Sequence, residues 1–225
     1  MKLGAAEQKF GKKVYAHASV TDVSDAQKDN IAEVADLLGI RRMKIKPMDF
    51  NKADNGMGNI EFGNGRAFSE NCPATIAAHE ARLRGLNVTA LGFDRENPIM
   101  RKVQERYQEL WIDPATGKAP TPMISGQACH DRKKRWKLTD ESIIEKAESL
   151  MQIPGRYHLG INQLNGDGHV IVAERMQDGT LICFDTQQQE FVALKDWQGY
   201  QYIEVLKVDG LIFNTSVLSK LVRKI

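Results

Sequence analysis

The segment HVIVAERMQDGTLICFD, residues 169–185, decides the fold, because it places a turn between two short apolar runs. β-Branched residues dominate the first run, and Gly179 ends the polar stretch before the second, which is typical of two antiparallel strands. A similar run, RYHLGINQL (156–164), precedes this hairpin, and YQYIEVLKV (200–208) follows it. The C-terminal part of the chain therefore predicts an antiparallel sheet.

Upstream of the hairpin, the apolar residues recur at helical spacing. Ser24, Asn97 and Thr139 stand at the starts of such segments as expected of N-cap residues. Helices followed by antiparallel strands predict an α+β fold. The predicted helices are DAQKDNIAEVADLLG (25–39), NCPATIAAHEARLRG (71–85), ENPIMRKVQERYQELW (96–111) and DESIIEKAESLM (140–151).

The remaining segments have weaker patterns. IRRMKI (40–45) predicts a short strand, and NTSVLSKLVRKI (214–225) predicts a closing helix. Residues 46–71 are rich in Asn and Gly and show no period, which is typical of functional or disordered segments. We therefore divide the chain into an N-terminal extension or linker with one helix, residues 1–45, and a main domain, residues 46–225, which contains the candidate catalytic residues described below.

Composition excludes several functional classes. A formal net charge of +2 and a pI near 8.4 do not indicate a nucleic-acid-binding protein, and the basic run at 131–137 is typical of a solvated loop. No apolar run is long enough to span a membrane. The first residues, MKLGAAEQKFGKK, lack the apolar core of a signal peptide. These features predict a cytoplasmic protein in the producing cell, without nucleic-acid partners.

The three cysteines, Cys72, Cys129 and Cys183, are too few for a disulfide framework. No pair has the spacing of a zinc site, and we predict no metal and no cofactor. Cys72 precedes a proline at a helix start, where unpaired N–H groups favour the nucleophilic thiolate. The alternative is an inert, packed cysteine. Cys183 stands in mid-strand, where burial is expected.

A nucleophilic thiol needs a base, and His169 is the strongest candidate. It follows the turn NGDG and begins a β-branched strand, which gives rigid support and open access. His79 is seven residues from Cys72 on the same helix, too far to reach the sulfur. His17 lies in the extension, His130 in a polar loop and His158 within a predicted strand.

The acid that orients the imidazole is expected on a neighbouring strand, and Asp185 ends the next one. A two-residue turn at Asp178-Gly179 would direct Asp185 away from His169. A three-residue turn that begins at Gln177, with Gly179 left-handed, would make His169 and Asp185 diagonal neighbours on one face. The catalytic reading requires the three-residue turn. Otherwise Asp185 is a surface carboxylate at a strand end.

Three segments together resemble papain-like fold toxin domains. NCPATIAAHEARLRGLNVTAL (71–91) is similar to the family's Asn-Cys motif and the E-x-R-x-RG pattern after it. PGRYHLGINQLNGDGHVIVAERMQDGTLICFDTQQQ (154–189) is similar to its G-R-Y, G-H-V and D-P-Q blocks. KADNGMGNIEF (52–62) resembles its lead-in. The similarity covers residues 48–192.

The resemblance implies a papain-like cysteine hydrolase fold, with a helix that opens with the nucleophile packed on an antiparallel sheet. It implies a Cys72-His169-Asp185 triad, with Asn71 and Gln187 stabilising the oxyanion or shaping the site. Such domains are bacterial or phage-borne effector toxins that are delivered into target cells, deamidate a glutamine of a host protein and are produced with an immunity protein. Two residues depart from the family pattern. Thr186 stands where the family usually has a proline, and Pro73 stands where a polar residue is common.

Other functions are compatible with the same residues. A cysteine peptidase or a transglutaminase-like enzyme would use the same acyl-thioester chemistry on another amide or acceptor. A phage structural or partner-docking module would retain the fold without the chemistry.

Overall fold

The computed structural model describes residues 24–125 and 138–225. Several features of the sequence analysis lie outside these residues: most of the predicted extension with His17, Cys129, His130 and the basic run at 131–137. The chain forms two compact units. The first unit holds residues 24–120, Thr186–Gln189 and Gly210–Ile225. The second unit holds residues 121–125, 138–185 and 190–209.

The described residues form seven α-helices and ten β-strands, and several strands have only two or three residues. The helices are α1 (Asp25–Leu37), α2 (Phe50–Asp54), α3 (Arg66–Ser69), α4 (Cys72–Leu83), α5 (Pro98–Glu105), α6 (Asp140–Leu150) and α7 (Thr215–Leu221). The strands are β1 (Val88–Ala90), β2 (Trp111–Ile112), β3 (Met123–Ser125), β4 (Gly155–Gln163), β5 (Gly168–Arg175), β6 (Leu181–Asp185), β7 (Glu190–Val192), β8 (Tyr200–Lys207), β9 (Ile212–Phe213) and β10 (Val222–Lys224).

The second unit is an antiparallel sheet with one helix. Its six strands follow the order β3-β8-β4-β5-β6-β7. Strands β4 and β5, at its centre, contribute inward side chains such as Leu159 and Ile171. Ile143 and Ala147 of α6, and Met151 directly after this helix, belong to the same apolar core. Thr139 caps α6 by accepting a hydrogen bond from the Ser142 N–H, as the sequence predicts.

The first unit is built around α4, all twelve residues of which are buried. Small side chains at Ala74, Ala77, Ala78 and Ala81 let neighbouring segments approach this helix closely. Two short antiparallel pairs, β1 with β10 and β2 with β9, complete the unit. Both units together contain helices and antiparallel sheets, which confirms the predicted α+β class.

The helix of the predicted extension, α1, is part of the first unit. Its capping box of Ser24 and Gln27 is present. The Gln27 side-chain amide donates to the carbonyl oxygen of Leu211 at 3.0 Å. Asn30 exchanges two hydrogen bonds with the backbone of Phe213, at 2.9 Å and 2.8 Å. These long-range bonds attach α1 to the segment before α7.

Several predicted elements are wrong or incomplete. Residues 40–45 contain a 3-10 helix, Arg42–Lys44, instead of a strand, because their backbone N–H groups bond to carbonyls a few residues earlier. Residues 46–71 are not structureless: they form α2, α3 and a 3-10 helix, Met57–Asn59. Left-handed glycines, among them Gly56 and Gly65, stand before two of these short helices, so none is long enough to show a period.

Two boundaries also differ from prediction. Helix α5 ends at Glu105, and the rest of the predicted helix is a separate 3-10 turn, Tyr107–Leu110. The closing helix α7 stops at Leu221, because the next three residues pair with β1 as strand β10. Strand β7 was not predicted. Within the described ranges, no helix has the length and apolar character needed to cross a membrane.

Candidate active site

The hairpin of β5 and β6 has the three-residue turn that the catalytic reading requires. The N–H of Met176 donates to the carbonyl of Thr180 at 2.8 Å, and Gly179 is left-handed at φ +85°. Val172 lies opposite Phe184, which is the predicted register. His169 Nε2 and Asp185 Oδ2 are consequently 2.8 Å apart, within hydrogen-bonding distance.

Burial of this pair is asymmetric. The side chain of Asp185 is completely buried, whereas that of His169 is 24% exposed. A buried carboxylate is costly unless it is hydrogen-bonded, and the imidazole Nε2–H is the donor that satisfies it. In this tautomer Nδ1 carries the lone pair. The ring of Trp197 packs on the same imidazole in a T-shaped arrangement, with the ring centroids 6.0 Å apart. The pair therefore fixes both the ring orientation and its basic nitrogen.

Cys72 is the first residue of α4, as predicted. The side chain of Asn71, the N-cap residue, makes no capping hydrogen bond, and Pro73 follows in the first turn. The N–H of Cys72 is thus among those that the helix does not pair internally. Cys72 as a whole is 5% exposed. A polar side chain also reaches it: Gln104 Nε2, on α5, lies 3.9 Å from Cys72 Sγ.

Asn71 is buried, with 1% exposure, and its side-chain NH₂ group is engaged. Nδ2 donates to Asn59 Oδ1 at 3.3 Å and to the carbonyl of Leu91 at 3.0 Å. An amide NH₂ group has two hydrogens, so these two acceptors account for both. Of the two roles predicted for Asn71, these contacts favour shaping the site over donating to an oxyanion.

Asn59 connects this N-cap to the loop Thr186–Gln189. Its side-chain NH₂ group donates to the backbone carbonyl of Gln187 at 3.3 Å. The backbone carbonyl of Asn59 accepts a hydrogen bond from Gln189 Nε2 at 3.1 Å. Gln189 has a left-handed φ of +61°, which is uncommon for a non-glycine residue. Gln187 is buried, and its proposed role in shaping the site stays a prediction.

The E-x-R-x-RG part of the Cys72 motif is structural. Glu80 and Arg84 form a 3.0 Å ion pair that is completely buried. The Arg84 guanidinium stacks over the rings of Trp111 and Phe213, 4.9 Å and 4.7 Å from their centroids. Arg82 donates to the backbone carbonyls of Lys52, Ala53 and Val88 and to the side chain of Asn87. These contacts hold the far end of α4.

The other candidates for a catalytic base or thiol among the described residues have structural contacts: His79, His158 and Cys183. His79 Nδ1 lies 2.8 Å from Asp54 Oδ1, and this pair joins α2 to the buried helix α4. His158 is buried in β4. Burial, together with the charge of Glu148, raises the pKa of the Cys183 thiol from 9.0 to about 12. Cys183 thus belongs to the core of the second unit.

The structure places the predicted residues in two groups. His169 and Asp185 meet in the second unit, whereas Cys72, Asn71 and Gln187 belong to the first. The sequence analysis did not select Asn59 or Gln104. Asn59 lies in the recognised NGMGN lead-in, but no pattern marked Gln104. The chain matches no protein-family model, no curated protein and no solved structure.

Proposed function

We propose that this chain is a papain-like cysteine hydrolase that deamidates a glutamine side chain of a host protein. The observation that carries this proposal is the 2.8 Å contact between His169 and Asp185. A buried carboxylate that holds one imidazole nitrogen is the arrangement by which enzymes orient a general base. Cys72, at the start of a helix, supplies the thiol that such a base activates.

In the proposed reaction, His169 takes the proton of Cys72, and the thiolate attacks the carboxamide carbon of the substrate. The C–N bond then breaks, and the imidazolium gives its proton to the departing ammonia. Water attacks the resulting thioester, with His169 again accepting a proton. The C–S bond breaks, the thiol is restored and glutamate remains. The reaction requires Nδ1 of His169 to meet the Cys72 sulfur.

The low exposure of Cys72, 5%, supports deamidation over proteolysis. A single carboxamide side chain is slender and can enter a narrow opening, whereas a peptidase must accommodate main chain on both sides of the scissile bond. The same thioester could be released by an amine instead of water, which would give transamidation.

The resemblance to papain-like fold toxin domains supports the biological part of the proposal. Under it, the chain acts as a toxin or effector that enters a target cell through a secretion system or a phage particle. A cognate immunity protein then protects the producer. The two local arrangements that support this kinship are a helix that begins with a cysteine, α4, and an antiparallel sheet that carries a histidine-carboxylate pair.

The proposal is tested by expressing the wild-type chain and the Cys72→Ala variant in candidate target cells and comparing the cell proteins by mass spectrometry. Deamidation predicts glutamine-to-glutamate conversion at defined sites with the wild-type chain alone. New protein termini would indicate a peptidase, and amine adducts a transamidase.

Two further variants make the comparison specific. His169→Ala should abolish the modification as Cys72→Ala does, and Cys129→Ser, which removes a thiol without a proposed role, should retain it. If the effect of the wild-type chain persists in Cys72→Ala, the catalytic proposal fails and the non-catalytic binding module becomes the better explanation.

A further inference from the structure

Gln104 is the polar side chain of α5 that reaches the proposed nucleophile. Its Nε2 lies 3.9 Å from Cys72 Sγ, and both residues belong to the first unit. The start of α5 is well defined, because Asn97 Oδ1 accepts from the N–H groups of Ile99 and Met100. Gln104 is the penultimate residue of this helix and is partly exposed. Its amide therefore lies beside the thiol near the C-terminal end of α5.

An oxyanion forms when a thiolate attacks an amide carbonyl, and donors must lie about 2.7–3.1 Å from the position that this oxygen takes. The N–H of Cys72 can supply one donor. Pro73 cannot supply the next, because proline has no N–H. The amide hydrogens of Asn71 are engaged with Asn59 and Leu91. A second donor must therefore come from another element.

We infer that Gln104 is a catalytic residue that donates a hydrogen bond from Nε2 to the oxyanion of the tetrahedral intermediate. This inference rests on the proposed function, in which Cys72 is the nucleophile. The oxyanion is two bonds from the sulfur, so a donor that already lies beside Sγ is close to the position of the new charge. The amide is neutral and offers two hydrogens, and this donor stabilises the charge as it develops.

Two reactions of Cys72 separate this role from a structural one. p-Nitrophenyl acetate transfers its acetyl group to the thiolate through an oxyanion intermediate, and p-nitrophenolate leaves without needing a proton. Iodoacetamide alkylates the same thiolate by displacement of iodide, which forms no oxyanion. The first reaction should depend on Gln104, and the second should not.

The informative variant is Gln104→Met, which keeps the length of the side chain but removes the donor. We expect the rate of p-nitrophenolate release to fall about 100-fold, while the alkylation rate of Cys72 stays within about twofold of wild type. Gln104→Ala should give the same pattern, and Glu105→Ala, at the exposed neighbouring position, should alter neither rate.

Acylation of Gln104→Met and Gln104→Ala within about threefold of the wild-type rate would overturn the inference and leave the proposed function standing. An equal loss in both reactions would also overturn it, because Gln104 would then only position the thiol. If the wild-type chain releases no more p-nitrophenolate than Cys72→Ala, the proposed function itself fails, and the inference fails with it.

Discussion

The hydroxyl oxygens of Thr75 and Thr186 lie 2.8 Å apart, although 111 residues separate them in the chain. Thr75 also donates to the carbonyl of Cys72 at 2.9 Å. Because a hydroxyl has one hydrogen, Thr186 must be the donor between the two threonines. The residue that directly follows Asp185 is thereby hydrogen-bonded to the first turn of the helix that begins with Cys72. A proline at position 186 could not make this bond, because its side chain has no hydroxyl.

Removing the Thr186 hydroxyl is therefore expected to destabilise the protein. Thr186→Val should lower the free energy of unfolding by about 1–3 kcal/mol, because a buried hydrogen bond is lost, whereas Thr186→Ser should retain most of it. Urea denaturation measures both. A double-mutant cycle with Thr75→Val tests the pairing: fully additive losses would show that the two hydroxyls are not energetically coupled.

Asp185→Asn is expected to slow acylation of Cys72 about 100-fold or more, with the fold retained. An asparagine NH₂ group would donate to Nε2 of His169 and stabilise the tautomer with its proton on Nδ1, which leaves no base there. Release of p-nitrophenolate measures the loss, and circular dichroism checks the fold. Asp167→Asn removes an exposed carboxylate from the turn before His169 and should not affect the rate. An active Asp185→Asn variant would exclude the orienting role.

Iodoacetamide is expected to label Cys72 before Cys183 in the folded protein at about pH 6–8. The Cys183 thiol stays protonated there because burial raises its pKa to about 12. Tryptic mapping after brief labelling identifies the modified cysteine. Labelling of Cys183 should appear only when denaturant is added. Its labelling at the same rate as Cys72 without denaturant would contradict the assignment.

The buried thiol of Cys183 is expected to make the folded protein less stable in alkaline solution. The pKa of Cys183 rises on folding from 9.0 to about 12, so the folded state favours the protonated thiol, and its stabilisation disappears as the pH rises from about 9 towards 12. Burial raises the pKa of Tyr200 as well, in the same core. Urea denaturation at about pH 8 and pH 10 should show this decrease, and Cys183→Ala should show a smaller one.

Breaking the buried ion pair of the first unit is expected to cost far more than breaking an exposed one. Glu80→Gln should destabilise the protein by about 3–5 kcal/mol, because it leaves the Arg84 charge buried without its partner. Arg66→Ala, which breaks the exposed pair with Glu70, should cost at most about 1 kcal/mol. Thermal or urea denaturation measures both. Equal costs would show that Arg84 does not depend on Glu80.

The parts of the site that could be predicted depend on local rules. Strand parity predicts that His169 and Asp185 share a face if the turn has three residues, and the structure decides for this turn over the two-residue alternative that the sequence left open. The start of α4 was equally readable, because Pro73 and Gly85 mark the two ends of one helix. Such features need no knowledge of the rest of the fold.

The parts that could not be predicted depend on contacts between distant segments. Asn59 meets Gln187 across 128 residues, and no spacing in the sequence indicates this bond. Gln104 contacts Cys72 because two helices pack together, whereas helical periodicity identifies only the apolar face of each. The strand predicted at residues 40–45 was wrong for the opposite reason: local bonds decide this segment, since the N–H groups of Lys44 and Ile45 donate to carbonyls three residues earlier.

The first unit is completed by strand β10, which supplies the partner of β1. A ribosome that has synthesised α4 and β1 therefore holds them without this partner until Val222–Lys224 have also left the exit tunnel. The order of synthesis thus delays completion of the unit that contains Cys72 until this later segment has emerged.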